Sequence, residues 1–484
     1  MTTRRHFLSA LACALIARRR SGSWLVAPGP RPHPSAAQLE WQRDELAMFL
    51  HFGVNSFTDR EWGDGREDPA IFNPRQLDAR QWARVARAAG FRTLILTAKH
   101  HDGFCLWPTK TTTHSVARSP WRNGHGDVVR ELVDACRAEQ LKVGLYLSPW
   151  DRHEPSYGDS DRYNAFYRTQ LTELLTQYGV IHEVWFDGAN GEGPNGRKQV
   201  YDWPRTWALV RQLQRNAVIF SDAGPDIRWI GNEHGVAGET NWSTVNPSVV
   251  PYPGATGDGV MRMLQEGDPN GTVWRPGETD VSIRPGWFYH AAEDTRVKTG
   301  DELVELYFTS VGRNSKLLLN VPPTREGKLH DRDVASLEAM RRRLTAIFGE
   351  TPPGGARPNG WRVTGQRRGV LEIEYRRPVT VSLADLREDV TRGQIVSHYE
   401  LAGSNGGAWT TLSRGTTIGY RKLDRFTPTR VRRVRLTIEA VNAAQPVGIA
   451  LYSTLNLTDC RTLPSCTTSQ RQSPDASSPR VFEL

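Results

Sequence analysis

Thr93-Leu94-Ile95-Leu96-Thr97 is a short apolar run. Trp82, Val85, Ala86 and Ala89 precede it at helical spacing, and the polar Lys99-His100-His101-Asp102-Gly103-Phe104 follows it. A continuous run of this length, bounded by turn residues and preceded by an amphipathic helix, reads as a strand buried on both faces in a parallel β-α-β unit. The unit recurs along the chain in both directions. Runs at Met48 to Val54, Val143 to Leu147, Val184 to Phe186, Val218 to Phe220 and Leu317 to Leu319 alternate with helical patterns. One pattern carries Val129, Leu132, Val133 and Cys136 on its apolar face, another Phe166, Tyr167, Leu174 and Leu175. Repetition over about 300 residues predicts an α/β chain with a (β/α)8-like barrel rather than an open doubly wound sheet.

The stretch from Pro225 to Tyr289 breaks the rhythm with Gly, Pro and Trp, which predicts a loop-rich sector. An amphipathic helix over Asp331 to Phe348 ends the barrel pattern, and Pro352-Pro353-Gly354-Gly355 marks a linker. Beyond it the period changes from helical to two, as in Val370-Leu371-Glu372-Ile373-Glu374-Tyr375 and Val434-Arg435-Leu436-Thr437-Ile438, which predicts a C-terminal antiparallel β-sandwich. The expected organisation is a leader and Pro-rich linker over 1–37, a barrel catalytic domain over 38–350, a sandwich over 356–453 and a disordered Ser/Thr/Pro-rich tail over 454–484. Within the leader, Thr3-Arg4-Arg5-His6-Phe7-Leu8 and the apolar run to Ala17 resemble a twin-arginine export signal, so a periplasmic or extracellular location is expected.

The formal net charge of the 484 residues is +9, with 38% hydrophobic and 24% charged residues. Lys and Arg are scattered among nearly as many acids, which argues against a nucleic-acid partner. Past the first twenty residues nothing approaches the roughly 18 to 20 apolar residues that cross a bilayer, and mean hydropathy is −0.53, so no membrane partner is expected. Sixteen Trp against five Met is the unusual ratio, since indole faces suit the C–H surface of sugar rings. The five cysteines show no CxxC pair and no metal-finger spacing; only Cys460 and Cys466 are close enough in sequence to pair in a loose tail.

Chemistry in such a barrel sits where the strands end. Those ends are polar and aromatic here: His51-Phe52-Gly53, Lys99 to Phe104, Tyr146 before Ser148-Pro149-Trp150, and Val184-Trp185-Phe186-Asp187-Gly188. Asp187 follows an aromatic strand, with Trp185 two residues back and on the same face. Glycosyl transfer needs a second acid. Arg228-Trp229-Ile230-Gly231-Asn232-Glu233 supplies Glu233 in an aromatic setting that suits a proton donor, although spacing alone does not separate it from Glu239 or Glu278.

Together with Glu61-Trp62 and with Arg313-Asn314-Ser315 leading to Leu317-Leu318-Leu319-Asn320-Val321-Pro322-Pro323, these segments resemble α-L-fucosidases of glycoside hydrolase family 29 over roughly residues 38–350. The resemblance implies a retaining exo-glycosidase with Asp187 as nucleophile, acting on fucosylated oligosaccharides or glycoconjugates without a cofactor or metal. The Trp-Ile-Gly-Asn-Glu segment is similar to the group selective for α-1,3 and α-1,4 linkages, in which Glu233 would be the acid/base. His51, Glu61, Trp62, His100, His101, Tyr146 and Trp185 would hold the fucose ring and hydroxyls, and Trp287 would pack on its methyl group. The sandwich resembles galactose-binding-like modules but carries no motif that assigns a sugar site.

His51, His100, His101 and Asp187 are residue types that could surround a divalent ion, but the H-x-H pair and bridging Lys of a barrel amidohydrolase are missing. A fucose-binding protein that had lost turnover is the second alternative; both acids are present in the chain, which argues against it.

Overall fold

The computed structural model describes residues 31–349, 361–367, 369–441 and 447–453. The leader through residue 30, the linker over 350–360, and the tail from 454 with Cys460 and Cys466 lie outside the described residues, as does Cys13.

Eight parallel strands form one sheet in the order Val218–Phe220, Glu183–Trp185, Lys142–Leu147, Thr93–Lys99, Leu46–Leu50, Ser315–Asn320, Gly277–Ser282, Arg228–Trp229. A parallel bridge from Phe220 to Ile227 joins the two ends, so the sheet is a nearly closed barrel. Its outward residues, among them Met48, Leu50, Leu94, Leu96, Leu145, Val184, Leu317 and Leu319, pack under the surrounding helices in one large core. Inward residues Ala47, Phe49, Ile95, Tyr146, Trp185, Val218, Phe220 and Leu318 make a second, aromatic cluster inside the barrel. Both faces are apolar, which is why the strands read as continuous runs rather than alternations.

The helices begin and end where the sequence directs them. Asp78 and Asp127 each accept a backbone N–H at 2.8 Å to cap Ala79–Ala89 and Val128–Ala138, and Gly90 closes the first at φ 98. Asp331–Phe348 is helical over the expected span.

Two expectations need correction. The first strand stops at Leu50, and Asn55–Thr58 is a single helical turn, so Phe52 to Val54 are not in the sheet. The sector from Pro225 to Tyr289 is not only loop. It supplies two barrel strands, Arg228–Trp229 and Gly277–Ser282, and the second is a full six residues.

The C-terminal sheet is antiparallel throughout, in the order Trp361–Arg367, Val370–Glu388, Lys422–Ala440, Val396–Ser404, Thr410–Gly415, with Val447–Tyr452 also paired to Val370–Glu388. The two long strands run 19 residues each and carry register shifts, and residues on both sides of the shifts share one core around Ile373, Tyr375, Leu386, Leu401, Val434 and Leu436. This sandwich docks on the barrel base through a buried ion cluster. Arg421 reaches Glu45 at 2.8 Å and Asp385 at 2.8 Å, and Tyr420 N–H donates to Asn314 at 2.7 Å.

Candidate active site

The aromatic cluster inside the barrel opens at the C-terminal ends of the strands, and most of the expected site residues meet there. His51 leaves the first strand and packs against Phe49, Tyr146, His100, Trp287 and Phe288 at ring separations of 4.5 to 6.3 Å. His100 and His101 leave the second strand, 4.1 Å apart between rings. Tyr146 is the penultimate residue of the third, and its hydroxyl donates to Asp187 Oδ2 at 3.0 Å. Trp185 ends the fourth and stacks on Phe220 at 4.0 Å with an interplanar angle of 7°.

Asp187 is held at both carboxylate oxygens. Oδ1 accepts the N–H of Ala189 at 2.8 Å, and Oδ2, besides Tyr146, lies 3.8 Å from His101 Nε2. The next residue must be glycine, because a Cβ on Gly188 would stand 2.7 Å from both Asp222 Oδ2 and Gly254 N.

The three imidazoles are neutral donors and acceptors. Burial pushes His51 down to about 3, partly offset by its 2.9 Å bond to Asn320 Oδ1. Burial also holds His100 well below the ordinary range and lowers His101, which the charge of Asp187 opposes. His101 Nδ1 is engaged with Ser148 Oγ at 2.7 Å. Buried His100 Nδ1 has no hydrogen-bond partner among the described residues, which leaves it free for a ligand hydroxyl.

Glu233 lies on the loop after Arg228–Trp229, at the exposed rim of the pocket, and its Oε2 accepts the Trp287 indole N–H at 3.3 Å. Burial of the carboxyl raises it above the ordinary glutamate range; the Trp287 bond opposes that rise and the charge of Asp187 adds to it. The two alternative acids are elsewhere. Glu278 lies fully buried beneath Trp185, whose indole donates to it at 3.1 Å, in a barrel-interior group with Glu183 and Lys316. Glu239 is exposed and faces Arg313 at 3.4 Å, beside the contacts of Thr240 and Asn241 with the sandwich.

Glu61 and Trp62 flank the pocket differently from the histidines. The Glu61 carboxylate receives Trp287 N–H at 2.8 Å, Phe288 N–H at 3.1 Å and His290 Nε2 at 2.6 Å, so it secures the loop that carries Trp287. Trp62 is 59% exposed and meets His101 and Trp150 edge-on. Other quoted residues are structural. Lys99 pairs with Asp151 at 2.8 Å in the barrel wall, Arg228 is buried against Asn241 and Trp242, and Asn314 ties the barrel base to the sandwich.

Two buried acids of the site escaped the sequence analysis. Asp222, two residues past the Val218–Phe220 strand, accepts Gly254 N–H at 2.7 Å, and burial raises it to about 6. Its place at a strand end was a usable signal. Asp280 lies on the strand that went unread and accepts the Trp229 indole at 2.8 Å.

The profile of the family described as Alpha-L-fucosidase matches residues 67–347. The chain is 44% identical to Alpha-L-fucosidase 1 of Arabidopsis thaliana over 451 residues, 87% of each chain. Its structure is similar to a glycoside hydrolase 29 family member from a rumen bacterium (41% identity, TM-score 0.78, 87% of this chain and 77% of that one). It is also similar to a Ruminococcus gnavus family 29 fucosidase in complex with fucose (31% identity, TM-score 0.78, 89% and 97%). The chain belongs to the α-L-fucosidase family, glycoside hydrolase family 29.

Proposed function

We propose that this fucosidase is a retaining exo-enzyme that releases terminal α-L-fucose by double displacement, with Asp187 as nucleophile and Glu233 as acid/base. The observation that carries the reading is the asymmetry of the two acids. Asp187 is fixed through both oxygens in a wall of aromatic rings, and Glu233 stands at the rim with its carboxyl raised by burial and by the charge of Asp187.

The chemistry requires that asymmetry. Cleavage passes through an oxocarbenium-like state, so one carboxylate attacks the anomeric carbon while the other acid protonates the departing oxygen. Asp187 forms the C–O bond as Glu233 gives its proton to the aglycone. Glu233, now ionised, takes a proton from water, which attacks the same carbon, expels Asp187 and leaves fucose with its original anomeric configuration. Neutral His51, His100 and His101 bind the hydroxyls without adding charge beside the nucleophile, and the Trp185 and Trp287 rings cover the C–H face.

The Trp-Ile-Gly-Asn-Glu segment supports selectivity for α-1,3 and α-1,4 linkages in branched glycans. Glu233 projects from the loop sector after Pro225, where a branching sugar can order its loop. The test is fucose release from α-1,2, α-1,3, α-1,4 and α-1,6 substrates. A branched Lewis-type trisaccharide cleaved much faster than an α-1,2 fucoside supports the selective reading, and comparable rates overturn it. The Arg4-Arg5 leader supports export, which fractionation of the producing cell would test.

A further inference from the structure

Glu233 is poorly held for a group that must deliver a proton to one oxygen atom. Among the described residues its carboxylate has one hydrogen bond, the 3.3 Å contact with Trp287, and although the carboxyl is partly covered, the residue as a whole lies at the exposed rim. Its geometry therefore depends on how its loop is anchored. The loop leaves the barrel at Trp229, the last residue of its two-residue strand and four positions before Glu233. On the outer side, Ile230 N–H donates to the Glu278 carbonyl at 3.0 Å, and Asn232 Nδ2 reaches Val236 O at 2.9 Å and Gln265 Oε1 at 3.1 Å. On the pocket side, the anchor is the Trp229 indole, which donates to Asp280 Oδ1 at 2.8 Å.

Asp280 sits within Gly277–Ser282, on the inward face between Glu278 and Ser282, and is 4% exposed. The Trp229 ring packs between the barrel's inner aromatic cluster and the small core of Ala223, Val250 and Leu264 under the loops. The indole is thus clamped by packing on its faces and by Asp280 at its nitrogen.

We propose that Asp280 is a positioning residue for the acid/base step: through the Trp229 indole it fixes the strand end from which Glu233 enters the pocket. The inference rests on the assignment of Glu233 as acid/base. The residue type is consistent with the task. Burial, reinforced by the charge of Glu233 and opposed by the Trp229 bond, raises the Asp280 carboxyl well above the usual range, which favours its neutral form. A neutral carboxyl accepts a hydrogen bond from the indole N–H without adding a charge beside Asp187 and Glu233. Arg or His there would add a positive charge and favour the ionised form of Glu233.

The test compares wild type, Asp280→Asn, Asp280→Leu, Trp229→Phe and Glu233→Ala on a fucosyl disaccharide, whose leaving group needs protonation, and on an activated aryl fucoside, whose leaving group does not. Asp280→Leu and Trp229→Phe should each lose about 100-fold in kcat on the disaccharide and far less on the aryl fucoside, since a displaced acid costs only the step that needs it. Asp280→Asn keeps an acceptor oxygen and no charge, and should restore near wild-type rates on both. A double variant combining Asp280→Leu with Trp229→Phe should be no worse than the more damaged of the two single ones. Equal losses on both substrates, or Asp280→Asn as damaged as Asp280→Leu, would overturn the proposal. If Asp280→Leu does not fold, Trp229→Phe carries the same comparison. Glu233→Ala separates the two levels. If it loses equally on both substrates, the acid/base assignment is wrong; if it discriminates while the Asp280 and Trp229 variants do not, only the role of Asp280 is.

Discussion

Tyr146 Oη stands 3.0 Å from Asp187 Oδ2, and the other carboxylate oxygen of Asp187 is taken by the backbone N–H of Ala189 at 2.8 Å. The Asp187 carboxylate therefore cannot rotate without losing a bond at one end. Tyr146→Phe keeps the ring in the aromatic wall and removes only the hydroxyl. A lost hydrogen bond to a charged group corresponds to about 10- to 100-fold in rate. We expect a loss of that size in kcat on an aryl fucoside with an unchanged melting temperature; wild-type kcat would show that Ala189 alone orients the carboxylate.

Glu61 collects two backbone N–H groups and His290 from one loop. Glu61→Ala leaves those donors without an acceptor and should free the segment that presents Trp287, raising KM by roughly tenfold or more. The loop effect is separable from any contact with sugar. In ligand-free protein, trypsin should cut at the exposed Arg296 faster in Glu61→Ala than in wild type. Equal cutting rates would restrict Glu61 to a role in the bound state.

His51 links stability to pH with a definite sign. Its ordinary value is 6.5 and burial pushes it to about 3, so between those values the unfolded chain binds the extra proton and the folded one does not. The contribution is complete above pH 6.5 and declines as pH falls. Against His51→Asn, which does not titrate, wild type should lose about 2 kcal/mol of relative stability between pH 7 and pH 5. Denaturant unfolding at the two pH values measures this; a difference independent of pH would mean that the folded protein protonates His51 readily.

The barrel was legible because its outward and inward positions are both apolar, which leaves short unbroken runs between helices. The exception explains itself. Gly277–Ser282 places Glu278, Asp280 and Ser282 inward, where Trp185, Trp229 and Asn320 each donate to one of them, so no apolar run marks the strand. The acids on that face are consequently not marked in the sequence: spacing does not separate Glu278 from Glu233, and no pattern singles out Asp280. His51, His100, His101, Tyr146, Trp185 and Asp187 were locatable because strand ends of a barrel converge whatever the loops do. The anchoring role of Glu61 depends on backbone N–H groups more than two hundred residues away, and no local pattern reports that.

The most direct measurement is chemical rescue of Asp187→Gly. Without the proposed nucleophile, the enzyme should lose turnover while retaining fucose binding, because the missing interaction is a bond formed only during reaction. Azide then occupies the vacated space and attacks the anomeric carbon of an α-aryl fucoside once, so NMR of the product should show β-fucosyl azide, inverted relative to the substrate. Hydrolysis at wild-type rate by the variant, or azide product of α configuration, would contradict Asp187 as the nucleophile.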